Sequence, residues 1–210
     1  MHKGLFITFE GNDGSGKTTI SKKVYEALLE KNYPVIYTRE PGGIEIAEKI
    51  RTIILDPNHT AMDARCEALL YAASRRQHLI EKVLPALETG KIVLCDRFID
   101  SSLAYQGIGR GIGIDEVLKI NQFAIESYMP DATFFLRVSL ETGMQRVNAR
   151  GNLDRMDLEA NDFHCRVSEG YEKVREMFAE RMIEIDAEAD IETVFRETLV
   201  KCEELINAHE

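Results

Sequence analysis

Eight consecutive residues, Gly11-Asn12-Asp13-Gly14-Ser15-Gly16-Lys17-Thr18, satisfy the pattern G-x-x-x-x-G-K-[ST] in full. Glycines at such a turn let successive backbone N–H groups curl inward around an anion, where a side chain would intrude. A helix beginning just beyond adds unpaired N–H groups and the positive end of its dipole. Lys17 has the reach to meet the β and γ oxygens of a triphosphate, and Thr18 offers its hydroxyl to Mg²⁺. The stretch from Gly11 to Thr19 is therefore expected to cradle a nucleoside triphosphate. It does not name the reaction, because GTPases, transport ATPases and small-molecule kinases all use such a loop.

A second set of residues recurs where the chain leaves apolar runs. Arg39-Glu40-Pro41-Gly42-Gly43 follows one run and Asp96-Arg97-Phe98 another, while Arg146, Arg150 and Arg155 lie beyond a third. Arg51 and Arg75 stand on helical stretches that have the option of facing the same crevice. Arginine suits phosphate because its planar fork donates two parallel hydrogen bonds and stays charged. Asp96 is expected to serve Mg²⁺, directly or through water, with a salt bridge to Arg97 or a loop cap as the alternative.

The elements that must position these groups alternate. Strand-like runs at 5–9, 34–38, 91–95, 133–138 and 182–186 alternate with helical spacing at 18–31, 45–55, 64–87, 115–129, 140–149, 163–179 and 191–208. The long stretch 64–87 invites a break before Pro85, and Pro130 is expected to stop the helix before it. Lys91–Cys95 is continuously apolar, as in a parallel strand buried on both faces. The order implies an α/β fold: a three-layer sandwich of P-loop type, with a five-stranded parallel sheet and helices on both faces. Ligands of such a sheet gather at the carboxyl ends of the strands, where the arginines fall. No internal repeat or linker interrupts the 210 residues, so a single domain is expected, with an irregular polar segment at 151–162.

Bulk properties narrow the partners. A formal net charge of −10 argues against a broad nucleic-acid or anionic-membrane surface, and obliges positive charge to concentrate locally. No apolar run is as long as a membrane span, and none resembles a signal-peptide core, so a cytoplasmic protein is expected. Four scattered cysteines, Cys66, Cys95, Cys165 and Cys202, form no C-x-x-C pair, and the five histidines lack metal-ligand spacing. Reduced thiols and no zinc site are expected on that basis.

Four segments in chain order now carry a resemblance: Phe9-Glu10-Gly11-Asn12-Asp13-Gly14-Ser15-Gly16-Lys17-Thr18-Thr19, Thr38-Arg39-Glu40-Pro41-Gly42-Gly43, Ala72-Ala73-Ser74-Arg75-Arg76, and Asp96-Arg97-Phe98-Ile99-Asp100-Ser101-Ser102-Leu103-Ala104-Tyr105-Gln106-Gly107. In this combination the chain resembles the thymidylate kinases over nearly its whole length. The resemblance implies transfer of the ATP γ-phosphate to dTMP with Mg²⁺, in the service of dTTP synthesis, by a homodimer built through helix packing. It implies that Arg97 grips the acceptor 5′-phosphate, helped by Arg39 and Arg51. Tyr71 would stack on thymine where phenylalanine is usual, and Arg75 would reach thymine O4, with Ser102 and Gln106 beside the base. Tyr105 would crowd the sugar 2′ position, and Asp13 would approach the 3′-hydroxyl. Some family members carry a mobile arginine in the phosphate loop, at the position held here by Gly14. The resemblance then assigns that charge to a lid, with Arg150 or Arg155 reaching the transferring phosphate.

An acceptor phosphate is already anionic and needs no general base. Two other readings stay open at this point. One is a kinase for another monophosphate or a deoxynucleoside, for which Glu40 would be a base. The other is a nucleotide-dependent switch or assembly ATPase, although N-K-x-D and a D-x-x-G after the third strand are lacking.

Overall fold

Short β-favouring runs build the centre of the molecule. β1 (Phe6–Glu10), β2 (Val35–Arg39), β3 (Ile92–Asp96), β4 (Ala132–Arg137) and β5 (Met182–Asp186) form one parallel sheet in the order β2-β3-β1-β4-β5. Of these, β1, β3 and β4 are buried almost throughout. The first four strands differ from the sequence expectation by one residue at each end, and β5 coincides with it. The computed structural model describes residues 4–151 and 153–209, and the Arg150 side chain lies outside that description.

Alternation along β1 divides the core. Ile7 and Phe9 point to the face covered by α1 (Lys17–Glu30) and α9 (Ile191–His209), where they meet Ile20, Val24, Val194 and Cys202. Phe6 points to the other face and packs among Leu79, Val83, Phe98 and Leu103. That side is covered by α3 (Ala64–His78), α4 (Leu84–Glu88), α5 (Ile99–Ser102), α6 (Ile114–Ile125) and α8 (Asn161–Met177). Each large apolar side chain removed from water there contributes about 1.5–3 kcal/mol. α2 (Glu45–Leu55) lies against α3, and α7 (Leu140–Arg150) follows β4. The helices covering both faces of a parallel sheet match the expected fold class.

Two expectations about helix continuity need correcting. The chain does not break before Pro85. A π-helical turn, Leu79–Val83, joins α3 to α4, with the Leu84 N–H reaching back to Leu79 O. Pro85 has no N–H to give, and the widened turn before it absorbs the mismatch. The helix expected to run to Met129 ends at Ile125, where Glu126 takes a positive φ of 55° and bonds back to Gln122 O. Helical structure also appears where none was expected, in α5 and the π-helical stretch Leu103–Gly109 that continues it.

Register sets the site. Phe9 pairs with Asp96, Arg39 with Asp96, and Glu10 with Phe135, so the carboxyl ends of β1, β2, β3 and β4 come level. Every residue that follows one of these strands therefore opens onto one edge of the sheet.

Candidate functional site

The turn after β1 is an anion cradle by construction. Gly16 caps α1 with φ 86° and has no side chain to satisfy the helix's first N–H groups, and the first turn holds no acidic residue. Those donors and the dipole end are left for a ligand. Gly14, at φ 77°, is required for a second reason: a Cβ there would come within 2.1 Å of Gly143 O in α7. The loop backbone rests directly on that helix. Two buried polar atoms of the loop, Asn12 Oδ1 and Ser15 Oγ, find no partner among the described residues.

Lys17 lies in the cradle with its Nζ 3.1 Å from Asn12 O and 3.9 Å from Asp13 Oδ1. Burial, reinforced by the nearby Arg97 charge, draws its pKa down to about 8 despite Asp13 and Asp96. Thr18 donates its hydroxyl to Asp96 Oδ2, while Asp96 Oδ1 is buried with no partner among the described residues. A hydroxyl and an unpartnered carboxylate oxygen side by side suit a hydrated Mg²⁺. No group of three His, Cys, Asp or Glu able to hold a metal occurs among the described residues. An ion here would thus arrive with most of its ligands supplied by phosphate and water.

Beside the cradle stands a compact polar cluster. Arg97, with an unusual φ of 70°, donates to Asp13, to Ser101 Oγ at 3.0 Å and to Tyr171 Oη at 3.1 Å. A non-glycine residue held in that region is strained, and such residues concentrate at functional sites. Tyr105 donates to the other Asp13 oxygen at 2.6 Å, and its ring lies under the guanidinium at 5.2 Å. Burial would raise the Asp13 carboxyl, but Arg97, Lys17 and the Tyr105 hydroxyl outweigh it and hold it at about 2. Beneath, Glu10 accepts from Phe98 N–H at 2.7 Å, Ser101 Oγ at 2.5 Å and Tyr171 Oη at 3.0 Å. Burial and the Asp100 carboxylate still push its pKa up to about 7.

Loop and cluster form two walls of a cleft of about 1020 Å³. That volume is at the upper end for a single drug-sized ligand and leaves room for two nucleotides in contact. Lys17, Lys22, Arg39, Arg51, Arg97 and Arg146 all line it, so an acidic chain does gather cations here. Arg39 and Arg51 each donate to Pro41 O, at 3.1 and 3.0 Å, and Arg39 also grips Glu48 at 2.8 and 3.0 Å. Half-buried Tyr71 lines the cleft, and burial keeps its hydroxyl protonated.

Arg75 is 2 % exposed and donates from Nε to Glu40 at 2.7 Å, from Nη1 to Ser102 and Asn121, and from Nη2 to Phe98 O at 2.9 Å. Of the fork's five N–H groups, one on Nη2 is left without a partner among the described residues. Glu40, weighed as a base, is itself 4 % exposed and holds both Arg75 and His78, the latter at 2.9 Å. Gln106 is turned toward Glu67 at 2.9 Å.

The three lid arginines have separate fates. Arg146 reaches Ala187 O at 3.1 Å and Gly14 O at 3.4 Å, touching the cradle's backbone. Arg155 is 7 % exposed and paired with Glu67, away from the cradle. The Arg150 side chain lies outside the described residues. Sequence reading missed Glu10, Ser101 and Tyr171 as members of the cluster. Glu10 and Ser101 stand inside the recognised motifs, but Tyr171 falls on the apolar face of α8, where nothing marks it as polar-facing.

A family model described as "Thymidylate kinase" matches residues 9–198. The thymidylate kinase of Clostridium novyi is 57% identical over 199 residues, covering 94% of this chain and 97% of that protein. That of Bacillus velezensis is 58% identical over 198 residues, covering 93% of each. The solved thymidylate kinase of Ehrlichia chaffeensis superposes with a TM-score of 0.77 at 35% identity, covering 95% of this chain and 98% of the other. With its family pattern, its sequence relatives and its backbone all agreeing, the chain belongs to the thymidylate kinase family.

Proposed function

We propose that the protein transfers the γ-phosphate of ATP to dTMP, giving dTDP and ADP. The observation that carries this reading is the contact between Arg97 and Asp13. It ties the residue expected to grip the acceptor phosphate to the loop expected to hold the donor. Two polyanions bound on either side of that pair lie close enough for direct phosphoryl transfer, and holding them in line is most of the catalysis.

Lys17 and the α1 N-terminus hold the donor phosphates, while Arg97, with Arg39 and Arg51, holds the acceptor phosphate. Thr18 and Asp96 would hold a Mg²⁺ that arrives with ATP, and the ion would supply positive charge against the phosphate oxygens. Arg75 offers its remaining Nη2 N–H to the base carbonyl, and Tyr71 offers a π face. Tyr105 and Asp13, locked together, set the sugar edge of the site.

Arg150, at the end of α7, is the lid arginine that reaches the transferring phosphate, in a single domain whose segment 146–162 closes over ATP. Gly14 leaves no arginine in the loop itself. A cytoplasmic setting and a homodimer complete the reading. The dimer is supported by Phe123 on α6, 91% exposed, and Leu69 on the adjoining α3, 57% exposed.

A deoxynucleoside acceptor would need a free carboxylate to take its 5′-hydroxyl proton. Glu40 is committed to the Arg75 guanidinium and the His78 ring and does not meet that need. ADP release coupled to a reporter, with ATP and Mg²⁺ and each of dTMP, dUMP, UMP and thymidine, tests the assignment. Turnover with dTMP well above the others is expected. Preference for UMP or thymidine, or ATP hydrolysis indifferent to any acceptor, sinks it.

A further inference from the structure

A buried ion cluster adjoins the cleft without touching the phosphate cradle. Glu67, in the first turn of α3, is wholly buried. It accepts from Gln106 Nε2 at 2.9 Å, from Arg110 Nε and Nη2 at 3.1 and 3.0 Å, and from Arg155 Nη2 at 2.6 Å. Burial would raise the Glu67 carboxyl, but these donors and charges more than offset it and hold it below its ordinary value. Arg110 also grips Glu159 at 2.5 Å, on the same segment as Arg155.

Arg155 has further ties. Its Nε donates to Ile54 O at 2.7 Å and its backbone N–H to Leu55 O at 3.1 Å. These are final carbonyls of α2, whose last turn holds no basic residue of its own. Arg155 thus supplies from outside the donors and the cation that a helix C-terminus lacks. Swinging its side chain toward a phosphate would strip the Ile54 carbonyl and remove one of the cations from a carboxylate with no access to water.

We propose that Arg155 is a positioning residue that acts through Glu67, not on phosphate. The pair fastens segment 153–159 to the α2–α3 wall. The same Glu67 carboxylate orients Gln106, which lines the cleft together with Asp154 and Met156 from that segment. Seating the segment and ordering the acceptor end of the cleft are therefore one event. Reach toward the transferring phosphate is left to the chain before Gly151. This rests on the kinase reading above.

Steady-state kinetics and amide exchange on Arg155→Met test it, because that variant leaves Glu67 with Arg110 and Gln106. The KM for dTMP should rise about tenfold, with kcat within about threefold and the KM for ATP unmoved. Exchange at 153–159 in the ligand-free protein should quicken. Arg155→Lys should recover part of the dTMP affinity. Glu67→Gln should reproduce the dTMP effect and combine with Arg155→Met less than multiplicatively.

A kcat loss of about a hundredfold or more with both KM values kept would place Arg155 on phosphate and overturn the proposal. A lowered Tm with unchanged KM and exchange would overturn it as well. Should Glu67→Gln fail to fold, the two Arg155 variants decide. Exchange is read without substrate, so it judges the coupling even if the wild-type protein prefers another acceptor. Absence of dTMP turnover in the wild type would count against the kinase reading alone.

Discussion

Lys17 meets its ligand as a weakened cation. With its pKa drawn down to about 8 by burial and by Arg97, it is charged at neutral pH but loses its proton through the next unit. A bound polyphosphate favours the protonated form, so ATP affinity should be flat up to about pH 7. It should weaken above that, by about tenfold at pH 9. Calorimetric titration of ATP at pH 7 and pH 9 would show this, and Lys17→Met should bind weakly with no such slope. Arg97 is the opposite case: Tyr105 and Asp13 overcome the effect of burial and raise its pKa well above the usual arginine value. Arg97→Ala should lower kcat/KM for dTMP by about a hundredfold to a thousandfold. Arg97→Lys should restore little, because one ammonium cannot reproduce bonds to Asp13, Ser101 and Tyr171 made by a planar fork. A near-wild-type lysine variant would show that charge alone matters at this position.

At the scale of elements, the contact between the phosphate loop and α7 governs how much the cradle tolerates. Gly14→Ala would force a Cβ against Gly143 O at a positive φ, and Gly143 in turn leaves no room toward Asp13 O, 2.6 Å from its own would-be Cβ. We expect Gly14→Ala to cost about 1–3 kcal/mol in stability, read by denaturant unfolding, and to weaken ATP binding in parallel. Elements were the most legible level of the sequence. β1, β3 and β4 are short apolar runs between turn signals, and local pattern suffices to find them. The π-helical turns were not legible, because they arise from accommodation between neighbours and not from periodicity. The site divides in the same way. Gly11–Thr18, Arg39 and Arg97 announce themselves by standing at strand ends. Glu67 pairing with Arg155, 88 positions along the chain, depends on how α2, α3 and the segment after α7 dock. No local pattern encodes that.

Across the whole molecule, the net charge of −10 and the cationic cleft are two sides of one distribution. Acidic residues outnumber basic ones over the chain as a whole, while lysines and arginines gather along the cleft, where a small anion would be attracted. No helix among the described residues is long and apolar enough to cross a membrane. Phe123 on α6 is a large apolar side chain left 91% exposed in the single chain. If a second copy covers it, Phe123→Asp should shift sedimentation from dimer to monomer while thermal unfolding of the monomer changes little. A wild-type protein that sediments as a monomer at micromolar concentration would rule this out.

The π-helical stretch Leu103–Gly109 bears on what kinds of change the chain can accept over time. Its signature bond, Arg110 N–H to Tyr105 O at 2.8 Å, spans five residues where an α-helix spans four. Such a turn amounts to one extra residue lodged in a helix. Removing a residue there would restore regular winding and rotate the downstream chain by about 100° relative to the helix upstream of it. Tyr105 and Gln106, which bond to Asp13 and Glu67, would lose their common alignment. Substitutions in this stretch are graded events, but a length change of one is a change of phase. The lineage should therefore keep its residue count fixed here.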